Sequence, residues 1–244
     1  MSQAPAFVLF GPAHLTALAI IVLAGLAVPW GVRLGAGPRA AYRIGVALSV
    51  LLVAHELTKI GVRVGLRDLP LATQLPLHLC ALSVLLTAWV LARKSCGAYE
   101  VVYFWALGGT TQALLTPDLR HGFPHPAYLV FFVGHGLVIL GVLYATFVYR
   151  FRPRPRSIVR SLAALAVVAV LVTPVNLWLG TNFLYLMEKP GGASLLDYLG
   201  PWPWYVLGLA GVALISSLFW YLPWLVADRW RGRRERRPGP SGSE

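Results

Sequence analysis

The stretch "LPLHLCALSVLLTAWVLARK", residues 75–94, decides how the chain is read. From Ala81 to Ala92 it carries no charge, and Arg93 and Lys94 end it. About 20 such residues are enough for one helix to cross the hydrocarbon core of a bilayer, roughly 30 Å thick. Similar windows recur through the 244 residues, which are 57% hydrophobic and only 12% charged. A soluble domain carries about a quarter charged residues, so this composition and a mean hydropathy of +0.68 exclude that class. A barrel would show short alternating segments, which are absent. The expected fold is all-α, a polytopic membrane bundle.

Seven spans are expected, at about 13–30, 42–60, 73–92, 99–115, 127–149, 161–180 and 203–227. They form one transmembrane domain over 1–227, followed by a basic tail, 228–244, expected to be disordered. The fourth span is the shortest and carries Glu100 and Gln112. The N-terminus lacks a basic n-region and the first charge is Arg33, so the first run is expected to remain as a membrane helix. Two cysteines build no disulfide framework: Cys80 lies in an apolar run and Cys96 in a short basic connection.

Charge sets the orientation. Arg33, Arg39, Arg43, Arg93, Lys94, Arg150, Arg152, Arg154, Arg156, Arg160 and six arginines between Arg229 and Arg237 fall on alternate connections, 16 of the 21 basic residues. Lys59, Arg63, Arg67, Arg120 and Lys189 share the other side. The positive-inside bias puts the first set in the cytoplasm, with the N-terminus outside and the C-terminus inside. The net charge of +12 therefore reads as orientation and contact with anionic lipid rather than nucleic-acid binding. Trp202 and Trp204, beside Pro201 and Pro203, fit an anchoring position at the outer interface.

Polar side chains inside a membrane are costly and usually face the bundle interior or a wet cavity. Here they share one depth. His14, His55, Glu56, Lys59, Gln74, His78, Cys80, Thr110, Thr111, Gln112, His135, Thr173 and Asn176 all fall in the outer half of their spans. At 1.5 Å per residue, Cys80 is expected about 10 Å deep, His135 about 12 Å and His55 about 8 Å. His78, two residues from Cys80, would point about 200° away on a helix, so a base for the thiol has to come from another span. His135 and His55 match it in depth. Cys80 also has an inert reading as a small packing residue. His135, between two glycines, has one as an interhelical hydrogen-bonder. His55, Glu56 and Lys59 have one as a self-neutralising interfacial group. A metal is not expected, because Pro124 interrupts the His121–His125 spacing, and no cofactor is implied.

"GPAHL" (11–15), "HELTK" (55–59), "LPLHLC" (75–80), "GGTTQALLTPDL" (108–119), "FPHP" (123–126), "FFVGHG" (131–136), "TNFLYLMEKP" (181–190) and "SLLDYLGPWPWY" (194–205) resemble the YwaF-type bacterial integral membrane proteins. Those are similar to the animal transmembrane protein 164, a lipid acyltransferase. The resemblance runs from residue 11 to 205, departing at Ala81, where the family often has an aspartate. It implies a multi-pass protein of the bacterial cytoplasmic membrane whose partners are membrane phospholipids. It further implies a cysteine nucleophile, here Cys80, with a histidine partner, here His135, moving an acyl chain onto a lysophospholipid. Asn176, Gln112, Thr111 and His78 then stand as oxyanion-stabilising or substrate-positioning candidates. His55, Glu56, Lys59 and His14 stand as headgroup-binding or site-ordering ones. A lipid ester hydrolase at the same site and a non-enzymatic transporter or ligand-binding protein are the alternatives.

Overall fold

Prolines, glycines and polar caps cut the apolar runs into helices. The computed structural model describes residues 5–65, 68–189 and 198–235, so Arg67, Arg236 and Arg237 lie outside the described residues. Helix α1 spans Pro12–Gly35 and α2 Pro38–Gly65; each starts on a proline, whose missing N–H is no loss there. Helix α3 is Leu79–Arg93 and stops where Lys94 turns left-handed, with φ 49°. Helix α4, Cys96–Phe104, is capped by the Ser95 hydroxyl on the Ala98 N–H, so Cys96 opens a helix instead of lying in a connection. A π-helical turn, Trp105–Thr110, leads without a break into α5, Thr111–Leu115. Helix α6 is Pro126–Phe147, α7 is Pro155–Leu179 and α8 is Trp204–Glu235.

Counting 96–115 as one rod, seven helical rods stand where seven runs are expected. Five of them, α1, α2, α6, α7 and α8, are long and apolar enough to cross a membrane. Helix α3 is apolar but only 15 residues long, and it starts six residues later than the expected span. Helix α8 continues to Glu235, so the first part of the basic tail extends a helix.

Helix α3, the 96–115 rod and α6 form the middle, with α2 against α3 and α6, α1 on the far side of α6, and α7 and α8 against the rod. Lipid offers no hydrophobic drive between helices, so close packing has to hold them. Small residues permit it. A Cβ at Gly141 of α6 would stand 2.5 Å from Thr87 Cγ2, and one at Gly25 of α1 2.9 Å from Leu143. The outer helices leave large apolar side chains uncovered, Leu23, Leu171, Trp178 and Ile215 among them, as lipid-facing surfaces do.

The two ends of the bundle differ chemically. At one end Arg160 pairs with buried Glu100, Arg152 pairs with Asp228, and Lys94 lies 4.8 Å from the Tyr42 ring and 5.2 Å from the Tyr149 ring. The other end holds the histidines, Cys80 and the Glu56–Lys59 pair.

Candidate active site

Pro76 governs how Cys80 is presented. A proline has no N–H to give and pushes the residue before it out of the helical region. The chain accordingly turns at Pro76, where the Leu77 N–H donates to the Leu75 carbonyl at 2.8 Å; His78 lies at φ −72° and ψ 149°, and the helix begins at Leu79. Cys80 thus sits in the first turn of α3 rather than two turns inside a span. The first N–H groups of a helix have no intrahelical acceptor, and the dipole there favours negative charge. The helix N-terminus favours a thiolate there, and the half-buried apolar setting opposes it. His78 precedes the helix, so the 200° rule does not govern where its ring points. It packs edge-on to Phe183 at 5.2 Å and against Tyr185 at 5.7 Å.

Helices α2 and α3 run antiparallel, and the Ser49 hydroxyl donates to the Ala88 carbonyl at 2.8 Å. Two turns along α2 on that same face stands Glu56, which the antiparallel register sets level with Cys80. Glu56 is 3% exposed and accepts a 2.6 Å bond from Lys59 Nζ. Both charges act electrostatically on Cys80 and on His135.

His135 lies on α6, which runs parallel to α3. Gly141 faces both Thr87 and Leu91, so His135, six residues earlier, is level with residue 83. Along the axis it is offset from Cys80 by about 4.5 Å, three residues of rise. It shares its helix face with Val138 and Val142, both 1% exposed, and with Thr146, whose hydroxyl meets Tyr99 of α4 at 2.8 Å. Helix α6 also packs on the π turn that carries Thr110. Its Nδ1 lies 2.8 Å from the Phe131 carbonyl. A carbonyl only accepts, so the proton is on Nδ1 and the Nε2 lone pair is available as a base. No hydrogen bond joins Cys80 and His135 among the described residues; what they share is the nearby Glu56–Lys59 pair.

His55 of α2 completes the near wall. Its Nε2 donates to the Val130 carbonyl at 3.0 Å, and its ring lies on Gly134, where a Cβ would be 2.5 Å from Cε1. Its Nδ1 is therefore a bare acceptor, buried and without a partner.

Other candidates are committed elsewhere. His14 accepts from the Phe10 N–H and donates to the Leu114 carbonyl at 2.8 Å, which ties α1 to α5 and leaves no nitrogen for a headgroup. The Asn176 amide donates to the Phe183 carbonyl and accepts from the Phe183 N–H and the Thr181 hydroxyl. It clamps the chain after α7 rather than facing Cys80. Gln112 is exposed and donates to Thr116 on its own helix. Thr111 is half-buried beside Thr110. Over the start of α3, Tyr205 donates to the Tyr185 carbonyl at 2.7 Å, holding Tyr185 at φ +54°. Burial, with Asp118 and Cys80 acting in the same direction, pushes the Tyr185 phenol above its ordinary pKa.

Ser83 stands outside the sequence-based candidates and Thr110 was read only as part of the polar layer, yet both are buried with hydroxyls that have no partner among the described residues. Ser83 was legible: it follows Cys80 by three residues, so the two share a face.

The model of the TMEM164 family matches residues 9–221. The chain belongs to that family. The match runs from the segment before α1 into α8 and takes in every candidate residue named above, as the resemblance to transmembrane protein 164 led one to expect. Neither the curated proteins nor the solved structures contain a match.

Proposed function

We propose that this member of the TMEM164 family is a membrane-embedded lipid acyltransferase with Cys80 as its nucleophile. The observation that carries the reading is the placement of Cys80 in the first turn of α3, where the Glu56–Lys59 pair acts on both Cys80 and the base-ready His135. The reading keeps seven helices in the membrane, with the basic end in the cytoplasm of a bacterial cell and Cys80 toward the outer leaflet.

The chemistry follows from these positions. His135 Nε2 takes the thiol proton, and the phenylalanine carbonyl on Nδ1 holds the imidazole in the required tautomer. The thiolate, favoured by the helix N-terminus, adds to a phospholipid ester carbonyl. Free N–H groups of the first turn of α3 face the developing oxyanion, the kind of donor whose loss typically slows a reaction about 100-fold or more. Collapse leaves an acyl-thioester on Cys80 and releases the lysolipid, which carries off the proton from His135. A second lysolipid hydroxyl then takes the acyl group by the same steps in reverse. Lys59 draws the lipid phosphate toward the mouth, Glu56 holds Lys59, and His78 and Thr111 line the path.

The test is transfer of a labelled acyl chain from phospholipid to lysophospholipid by the purified protein in mixed micelles. Wild-type protein transfers and Cys80→Ala does not. Transfer by Cys80→Ala at the wild-type rate contradicts the proposal, and release of free fatty acid without transfer makes the protein a hydrolase.

A further inference from the structure

Most of the buried serine and threonine hydroxyls among the described residues have a hydrogen-bond partner. Ser49, Thr146, Ser161 and Ser217 are buried, and each donates to a backbone carbonyl. That is the usual fate of a hydroxyl inside a helix, where the preceding turn offers an acceptor. Ser83, Thr87 and Thr110 depart from it. All three are at most 1% exposed, and none of their oxygens has a partner among the described residues. A buried hydroxyl without a partner costs about 1–3 kcal/mol, so three close together call for a reason.

Their positions supply one. Ser83 is one turn below Cys80 on the same face of α3, where side chains three residues apart have Cβ atoms about 5–6 Å apart. Thr110 ends the π-helical turn, a local distortion of the kind frequent at functional sites. That turn carries Gly108 and Gly109, and a Cβ at Gly109 would stand 3.0 Å from the Leu79 side chain, the neighbour of Cys80. Helices α3 and α6 both pack on this turn. One donor thus stands on the face of α3 that carries the thiol and the other on the π turn packed against the start of α3, both out of contact with water and with no acceptor among the described residues. Donors act most strongly on a developing charge in such a dry, fixed setting.

We infer that Ser83 and Thr110 are the side-chain oxyanion donors of the acyl transfer, in place of Asn176 and Gln112. The inference rests on Cys80 being the nucleophile. When the Cys80 thiolate adds to the ester carbonyl carbon, the C–S bond forms and the π pair moves onto the carbonyl oxygen. The two hydroxyls hydrogen-bond to that oxygen and keep their protons. When the pair returns, the C–O bond to the glycerol breaks and the leaving alkoxide takes the proton held on His135 Nε2. Thr87, two turns below Cys80 and about 10 Å away, is too deep to reach this oxygen.

The test compares two reactions of the same thiol in Ser83→Ala and Thr110→Val. Removing an unpartnered buried hydroxyl leaves no new orphan, so both variants keep the wild-type fold. Acylation of Cys80 by a lipid ester passes through an oxyanion; alkylation by iodoacetamide is a direct displacement and forms none. Single-turnover acylation is expected to fall about 100-fold in each variant. Alkylation stays within twofold in both. Unchanged acylation in both variants overturns the inference. So does a fall in alkylation by the same factor, which marks a packing role. Transfer that survives in Cys80→Ala removes the nucleophile itself and is a separate failure, of the function proposed above.

Discussion

Thr87 of α3 closes directly on Gly141 of α6, leaving no room for a Cβ: one built there would meet Thr87 Cγ2 at 2.5 Å. This contact sets the axial register of the two helices, and with it the distance between Cys80 and His135. Gly141→Ala should force the helices apart at a cost of about 1–3 kcal/mol and lower the melting temperature in detergent. Acyl transfer should fall at least tenfold, because a shift of about 1 Å at a reacting pair is enough for that. Thr87→Ser removes the clashing methyl, so the double variant should recover both. Wild-type melting and transfer in Gly141→Ala would show that the contact does not set the register.

His135→Ala removes the base while leaving Cys80 in its helix turn. Transfer should drop about 100-fold or more, in the range expected for a lost general base. Alkylation of Cys80 near neutral pH should slow as well, since fewer thiols are ionised without the base. If the variant transfers at the wild-type rate, the base is another group, and His55 with its bare Nδ1 is next to be replaced.

The Glu56–Lys59 pair supports the site through charge. Glu56→Gln leaves Lys59 without its partner beside the thiol. A fully buried pair broken this way costs ~3–5 kcal/mol; Lys59 keeps 24% of its side chain exposed, so about 2 kcal/mol is expected here. Glu56→Gln combined with Lys59→Met should melt nearer to wild type than the single variant while transferring more slowly. Equal melting of Glu56→Gln and wild-type protein would contradict this.

Asn176 separates a structural role from a catalytic one. Its amide is occupied by Phe183 and Thr181, so Asn176→Ala should lower the melting temperature and expose 181–185 to protease. Transfer per folded molecule should stay within about threefold. A 100-fold loss with unchanged melting would return Asn176 to the oxyanion site.

Apolar length and charge placement made the helical rods legible, because both depend on local composition. The start of α3 was harder to read. Residues 73–78 adjoin a long apolar run, and Pro76 is the clearest local sign that the helix starts only after His78. That one residue moves Cys80 from mid-helix to the helix N-terminus and changes its chemistry. His55, Cys80 and His135 were legible as a shared layer, since polar groups at one depth in apolar spans seek a common interior. His14, Gln112 and Asn176 lie in the same layer, yet their partners are backbone or neighbouring groups: the Leu114 carbonyl, Thr116 and Phe183. Depth alone does not show which way a side chain turns. The π turn left only Gly108 and Gly109 as its trace, which read equally well as a close-packing pair.

The most direct measurement is the intact mass of the purified protein after brief exposure to a phospholipid with one defined acyl chain. The account predicts a mass increase of one acyl group on Cys80, removed by hydroxylamine, lost in Cys80→Ala and discharged by added lysophospholipid. An unmodified protein that nevertheless transfers acyl chains, or an adduct that persists in Cys80→Ala, would contradict it.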